Sequence, residues 1–82
     1  MTEDDIKQRV QKLVLDAAPV QPAEWSASLR LQADLGYDSL GREELAALLE
    51  DEFEGLSVPD EGLTGNAGDV QDLVVRALVV RP

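Results

Sequence analysis

Between Asp4 and Ala17 the apolar positions Ile6, Val10, Leu13, Val14 and Ala17 recur three and four residues apart and share about a 100° arc of a helical wheel. That spacing predicts an amphipathic first helix. Thr2 or an early aspartate can cap it, Glu3, Asp4 and Asp5 suit the positive end of its dipole, and Pro19 and Pro22 prevent its continuation. A second pattern begins at Ser39, where Leu45, Leu48, Leu49 and Phe53 share one face with Ala46 at its border. Leu40, Glu43, Glu44, Ala47, Glu50, Asp51 and Glu54 take the opposite face, and Glu52 fits poorly at the apolar edge. A third stripe, Val70, Leu73, Val74, Ala77 and Leu78, predicts a last helix with Asp69 as its N-cap. Its valines would also suit a strand, but the chain has no second strand to pair with it.

The segments between these patterns differ in kind. "PVQPAEWSASLRLQADLGYD", residues 19–38, sustains neither a helical nor a strand period, and reads as a long ordered loop. Loops of this length are uncommon in compact domains unless they have a role or contain a short helical turn. Trp25, Leu29, Leu31 and Leu35 give it apolar anchors, with Trp25 expected against the core. After Gly55, "LSVPDEGLTGNAG" is dense in turn formers, with room for one short helical turn from Asp60. The expectation is an all-α protein: one domain, 1–82, folded as a small three- to four-helix bundle with a long loop between helices 1 and 2.

Composition narrows what such a bundle can do. A chain of 82 residues buries only about 60% of its unfolded surface, so a deep catalytic cleft is costly. Cysteine and histidine are absent, which removes thiolate nucleophiles, disulfides, the usual zinc ligands and the usual general base. "GNAGD" has glycines but neither the lysine nor the spacing of a phosphate loop, and reads as a turn before a helix. No catalytic residue and no metal site is expected; the chain is not read as an enzyme. There is also no apolar run long enough to span a bilayer, and "MTEDDIKQRV" is acidic where a signal peptide is basic, so a cytoplasmic monomer is expected.

Charge adds a direction. The net charge is −10, and the segment 34–61 holds ten acids and the single base Arg42, so it alone carries −9. Such a surface repels nucleic acid and anionic membranes and attracts partners with basic patches.

Within that segment, "LGYDSLG" (35–41) raises a choice for Ser39. Serine at a helix start is ordinary capping, worth ~1 kcal/mol. Yet Ser39 follows a glycine turn, opens the most acidic helix and adjoins Leu40 and Ala47 on an outer wall that core packing does not explain. A helix N-terminus also favours a phosphate, so a serine carrying a phosphodiester would be stable there.

These residues resemble the acyl carrier protein family, the four-helix carriers of fatty acid and polyketide synthesis, to which peptidyl carriers are close relatives. The matching string is "ADLGYDSLGREELAALLEDEF", followed by "VPDE" and by "GDVQDLV" in the last helix; residues 33–61 carry the specific match. The resemblance implies that Ser39 receives 4′-phosphopantetheine from coenzyme A through a Mg-dependent phosphopantetheinyl transferase. Acyl intermediates would then ride as thioesters on an imported thiol. Asp38 and Leu40 match the residues flanking the attachment serine, and Gly36 matches its turn glycine. Leu40, Glu43, Glu44, Ala47 and Glu50 would form the face presented to an acyltransferase, ketosynthase or other pathway enzyme.

The departures from the family pattern are specific. Ala47 stands where fatty acid carriers often have methionine, Glu43 where they often have valine, and Gly41 interrupts the first turn at a cost of up to ~1 kcal/mol. With Tyr37 before the motif aspartate, they point toward a discrete carrier of polyketide or related specialised metabolism. Two alternatives stay open at this stage. A stand-alone peptidyl carrier shares size and fold, although Asp38 argues mildly for the acyl type. An acidic protein-interaction module without a prosthetic group would make Ser39 dispensable.

Overall fold

The periodic stretches become three helices, α1 (Glu3–Ala17), α2 (Ser39–Glu52) and α3 (Ala67–Val79), in a computed structural model that describes residues 2–59 and 63–79. The chain is a small all-α bundle with a long loop between α1 and α2. The helical turn expected from Asp60 falls on 60–62, outside the described residues. Among the described residues no helix is long and apolar enough to cross a membrane.

α1 starts as its sequence dictates. The Thr2 hydroxyl accepts from the Asp5 N–H at 3.2 Å while the Asp5 carboxylate accepts from the Thr2 N–H at 3.3 Å, a capping box that satisfies two amides otherwise without partners. Ile6, Val10 and Val14 bury one stripe, with Leu13 and Ala17 packed at its margin. α1 lies mainly against α3 and more lightly against α2. A polar tie reinforces the larger interface: the buried Gln71 amide donates to the Lys7 carbonyl at 2.9 Å.

α2 buries a narrower arc than the sequence pattern implies. Leu45, Ala46, Leu49 and Phe53 are buried, whereas Leu48, expected among them, is 40% exposed. At about 100° per residue the four buried positions span roughly 0° to 100°, and Leu48 lies about 60° outside that arc. With only light packing on α1, nothing reaches around to cover it. Glu52, one turn on from Leu48 at the same edge, meets Arg9 of α1, 3.7 Å away, in an exposed ion pair.

α3 starts three residues earlier than expected, at Ala67 instead of Val70. Asp69 is not its N-cap: it lies in the first turn, where its carboxylate accepts from the Asn66 N–H at 3.0 Å and the Asn66 side chain accepts from the Asp69 N–H at 2.9 Å. Asn66 therefore plays the capping part and Asp69 reciprocates. Gly65, at φ +89°, turns the chain into this cap, and a Cβ there would collide with the Asp69 carboxylate. Val70, Val74 and Val75 are buried, with Leu73, Ala77 and Leu78 partly so.

The rest of the core comes from loops. Leu31, Leu35, Tyr37, Leu56, Val58 and Leu63 are buried, and Trp25 and Leu29 pack against them. The first loop is held at both ends of its middle section. Leu31 N–H donates to Gly65 O at 3.1 Å and Ala67 N–H donates to Leu29 O at 2.8 Å, so the loop runs antiparallel to the entry of α3 for a few residues. It then makes one helical turn, with Asp34 N–H and Leu35 N–H both bonded to Arg30 O.

Tyr37 closes the loop onto α1. Its hydroxyl donates to the Val14 carbonyl at 2.6 Å, 23 residues away. That carbonyl lies in the last turn of α1, where the Ala18 N–H bonds Leu15 O instead, so the phenol supplies a partner that the helix itself does not. Burial pushes the Tyr37 hydroxyl up from 10.0 to about 12.

Candidate functional site

Gly36 makes the approach to α2 possible. At φ +78° it occupies the left-handed region, and a Cβ there would come within 2.9 Å of a Val20 methyl. The chain then passes through buried Tyr37 and emerges at Asp38, which is the N-cap of α2: its carboxylate accepts from the Gly41 N–H at 2.7 Å. Gly41 leaves room for this bond, since a Cβ on it would press on Asp38 Oδ1 at 3.2 Å and on the Tyr37 ring at 3.3 Å.

The capping work is thereby done by Asp38, and Ser39 is the first helical residue. Ser39 is exposed, and its hydroxyl takes no part in capping. Among the described residues it accepts only from Arg42 Nη2 at 3.5 Å, a weak interaction at the limit of hydrogen-bonding distance. The backbone amides of Ser39 and Leu40 have no acceptor among the described residues. An exposed hydroxyl beside a guanidinium and two open amides is a nucleophilic oxygen in a place that stabilises added negative charge. No base adjoins it, so activation has to come from elsewhere.

The outer face of α2 lies as the wheel predicts. Leu40, Glu43, Glu44, Ala47, Glu50, Asp51 and Glu54 are all exposed, Leu40 at 63%. Glu50 has a second task that the sequence does not reveal: its carboxylate accepts from the Val58 N–H at 2.9 Å and pins the segment after α2. Glu43 and Glu44 carry no such bond and are exposed. Two residues were not singled out by the sequence pattern: Arg42 beside Ser39, and Arg30, which lines a groove with Arg42. Arg42 was legible as a neighbour of Ser39 three residues along a helix. Arg30 arrives through the loop path and has no sequence signal.

With so many exposed carboxylates on one helix and so few bases near them, salt is expected to stabilise the fold. Raising ionic strength, or adding Mg²⁺, should relieve on the order of 1 kcal/mol of repulsion, which for a domain of this size is about 4–8 °C in melting temperature. A melting temperature that is flat or falls across a salt series would contradict clustered repulsion.

No family model matches the chain.

Proposed function

We propose that the chain is a discrete acyl carrier protein, modified at Ser39 by a phosphopantetheinyl transferase, that presents acyl or polyketide intermediates to partner enzymes. The observation that carries this reading is the division of labour at the start of α2. Asp38 caps the helix, which leaves the Ser39 hydroxyl exposed and uncommitted. A serine kept only as a cap would be bonded as Asp38 is.

The residues present fit the arm. Ser39 Oγ would become the ester oxygen, and the Ser39 and Leu40 amides, with the Arg42 guanidinium, face the charge that the linkage adds. When bound, 4′-phosphopantetheine supplies a thiol on which acyl groups are held as thioesters, a function the cysteine-free chain lacks. Gly36 and Tyr37 fix the turn that sets Ser39 at the surface, and Asp38 holds the first turn of α2 open at its amides. Leu40 offers an exposed apolar contact next to the attachment point, and Glu43 and Glu44 offer charge to a basic partner. The acidic Glu43 and small Ala47 on this face favour a carrier of polyketide or related specialised metabolism over one of primary fatty acid synthesis.

The reading is tested by donor competition. After incubation with coenzyme A, Mg²⁺ and a promiscuous transferase, the protein should gain one phosphopantetheinyl mass and then accept malonyl groups from a malonyl donor. Loading by aminoacyl donors alone would make it a peptidyl carrier, and no mass gain on folded protein would overturn the carrier reading.

Partner engagement gives a second expected result. Glu43→Lys with Glu44→Lys should slow transferase association by about tenfold at low salt with little change in melting temperature, because steering acts on encounter. Glu50 is left out of this pair because its reversal would also release the Val58 N–H. Unchanged modification kinetics in the double variant would remove these glutamates from the docking face.

A further inference from the structure

Seven bases face seventeen acids in this chain, yet Arg30 and Arg42 have no carboxylate partner among the described residues. The nearby aspartates are turned away. Asp34 accepts from the Arg30 backbone N–H at 2.8 Å, Asp38 from the Gly41 N–H at 2.7 Å and Asp69 from the Asn66 N–H at 3.0 Å. Each of these carboxylates bonds a backbone amide of its own turn instead of a guanidinium.

Both arginines line the same open groove of about 580 Å³, together with Gln32, Ala33 and Asn66. The groove is built by the pairing of the first loop with the entry of α3, through the Leu31–Gly65 and Ala67–Leu29 backbone bonds. Arg42 faces it because of its register on α2. At about 100° per residue it lies on the azimuth of Leu45 and Leu49, one turn before the buried arc begins, and not on the acidic outer face. Arg42 as a whole is half-buried, and its Nη2 is 3.5 Å from Ser39 Oγ.

We infer that this groove is an anion site for the root of the prosthetic arm, in which Arg42 and Arg30 hold the phosphodiester joined to Ser39. The inference rests on the carrier reading and goes beyond it. It assigns the arm a resting direction, toward the loop at 30–33 and Asn66, away from the docking face of α2. A phosphorus bonded to Ser39 Oγ brings its free oxygens toward a guanidinium whose Nη2 lies 3.5 Å from that oxygen. Gln32 and Asn66 add polar groups along the groove for the amides of the arm. Two arginines without carboxylate partners, lining one groove of a strongly acidic protein, serve an anion that arrives later.

The test uses the protein with the bare arm and no acyl cargo, so that the phosphodiester is the only anion added and a cargo carboxylate is not in play. Intact mass first establishes complete modification. Side-chain Nε–Hε resonances of arginine and the ³¹P resonance are then recorded before and after conversion, for the wild type, for Arg30→Gln with Arg42→Gln, and for Arg9→Gln as a control outside the groove. The expected result is a shift of the Arg30 and Arg42 signals on modification with none for Arg9. The ³¹P resonance of the double variant should move to the position of a solvent-exposed phosphodiester, read from the same modified protein unfolded in urea, and that of the Arg9 variant should not. Complete modification with an identical ³¹P resonance in wild type and double variant would overturn the site and leave the carrier reading standing. No mass gain would overturn both.

Discussion

Ser39→Ala is expected to abolish phosphopantetheinylation while leaving the melting temperature almost unchanged. The two halves of that result come from the same geometry. The hydroxyl is the proposed acceptor, so its removal leaves no oxygen to esterify. It is also exposed and takes no part in the α2 cap, so its loss should cost no more than about 0.5 kcal/mol. The neighbouring substitution behaves differently. Asp38→Ala removes the acceptor of the Gly41 N–H and should cost about 1 kcal/mol, read as a lower denaturation midpoint. If the serine variant were instead the destabilised one, and the aspartate variant neutral, the assignment of cap and attachment residue would be reversed.

Tyr37 is expected to dominate stability. Tyr37→Ala removes one of the largest fully buried side chains and should cost about 3–5 kcal/mol, most of what a domain near the low end of the usual ~5 to 15 kcal/mol possesses. Tyr37→Phe keeps the ring and separates the two contributions. It leaves the Val14 carbonyl without its partner and should cost about 1–2 kcal/mol, a fall of roughly 4–15 °C in melting temperature. The pH dependence follows from the raised hydroxyl. Because the fold resists ionisation, the contribution of Tyr37 is fully present below pH 10.0 and is lost as the pH climbs through about 12. Wild type should therefore lose more stability than Tyr37→Phe over that interval in urea titrations followed by circular dichroism. Parallel curves for the two proteins would contradict a buried, hydrogen-bonded phenol.

The helices were legible because each buries a stripe at helical spacing. Ile6, Val10, Leu13 and Val14, or Val70, Leu73 and Val74, share a face in a helix but not in a strand, because each set contains a step of three residues. Where the reading erred, the missing information was non-local. Leu48 lies on a plausible apolar face, but the width of the buried arc depends on how closely α1 approaches, which no property of α2 encodes. Asp69 was taken as a cap because it precedes the apolar run. The helix instead begins at Ala67, where small Ala67 and Gly68 lie under the loop; a Cβ on Gly68 would come within 3.0 Å of Ala27.

The site was legible to a similar degree. Ser39, Asp38 and Gly36 stand out because a turn glycine, a capping aspartate and a serine at the head of an acidic helix are readable in a row. The bond from Glu50 to Val58 joins an exposed acid to a loop eight residues on, and the meeting of Arg30 with Arg42 depends on the loop pairing with α3. Neither follows from periodicity.

The most direct measurement is intact-protein mass spectrometry of wild type and Ser39→Ala side by side after incubation with coenzyme A, Mg²⁺ and a promiscuous phosphopantetheinyl transferase, both proteins being folded by circular dichroism. The account predicts one phosphopantetheinyl mass gain in the wild type and none in the variant. A wild type that stays unmodified beside a working control carrier, or a variant that is modified as readily as the wild type, would contradict it.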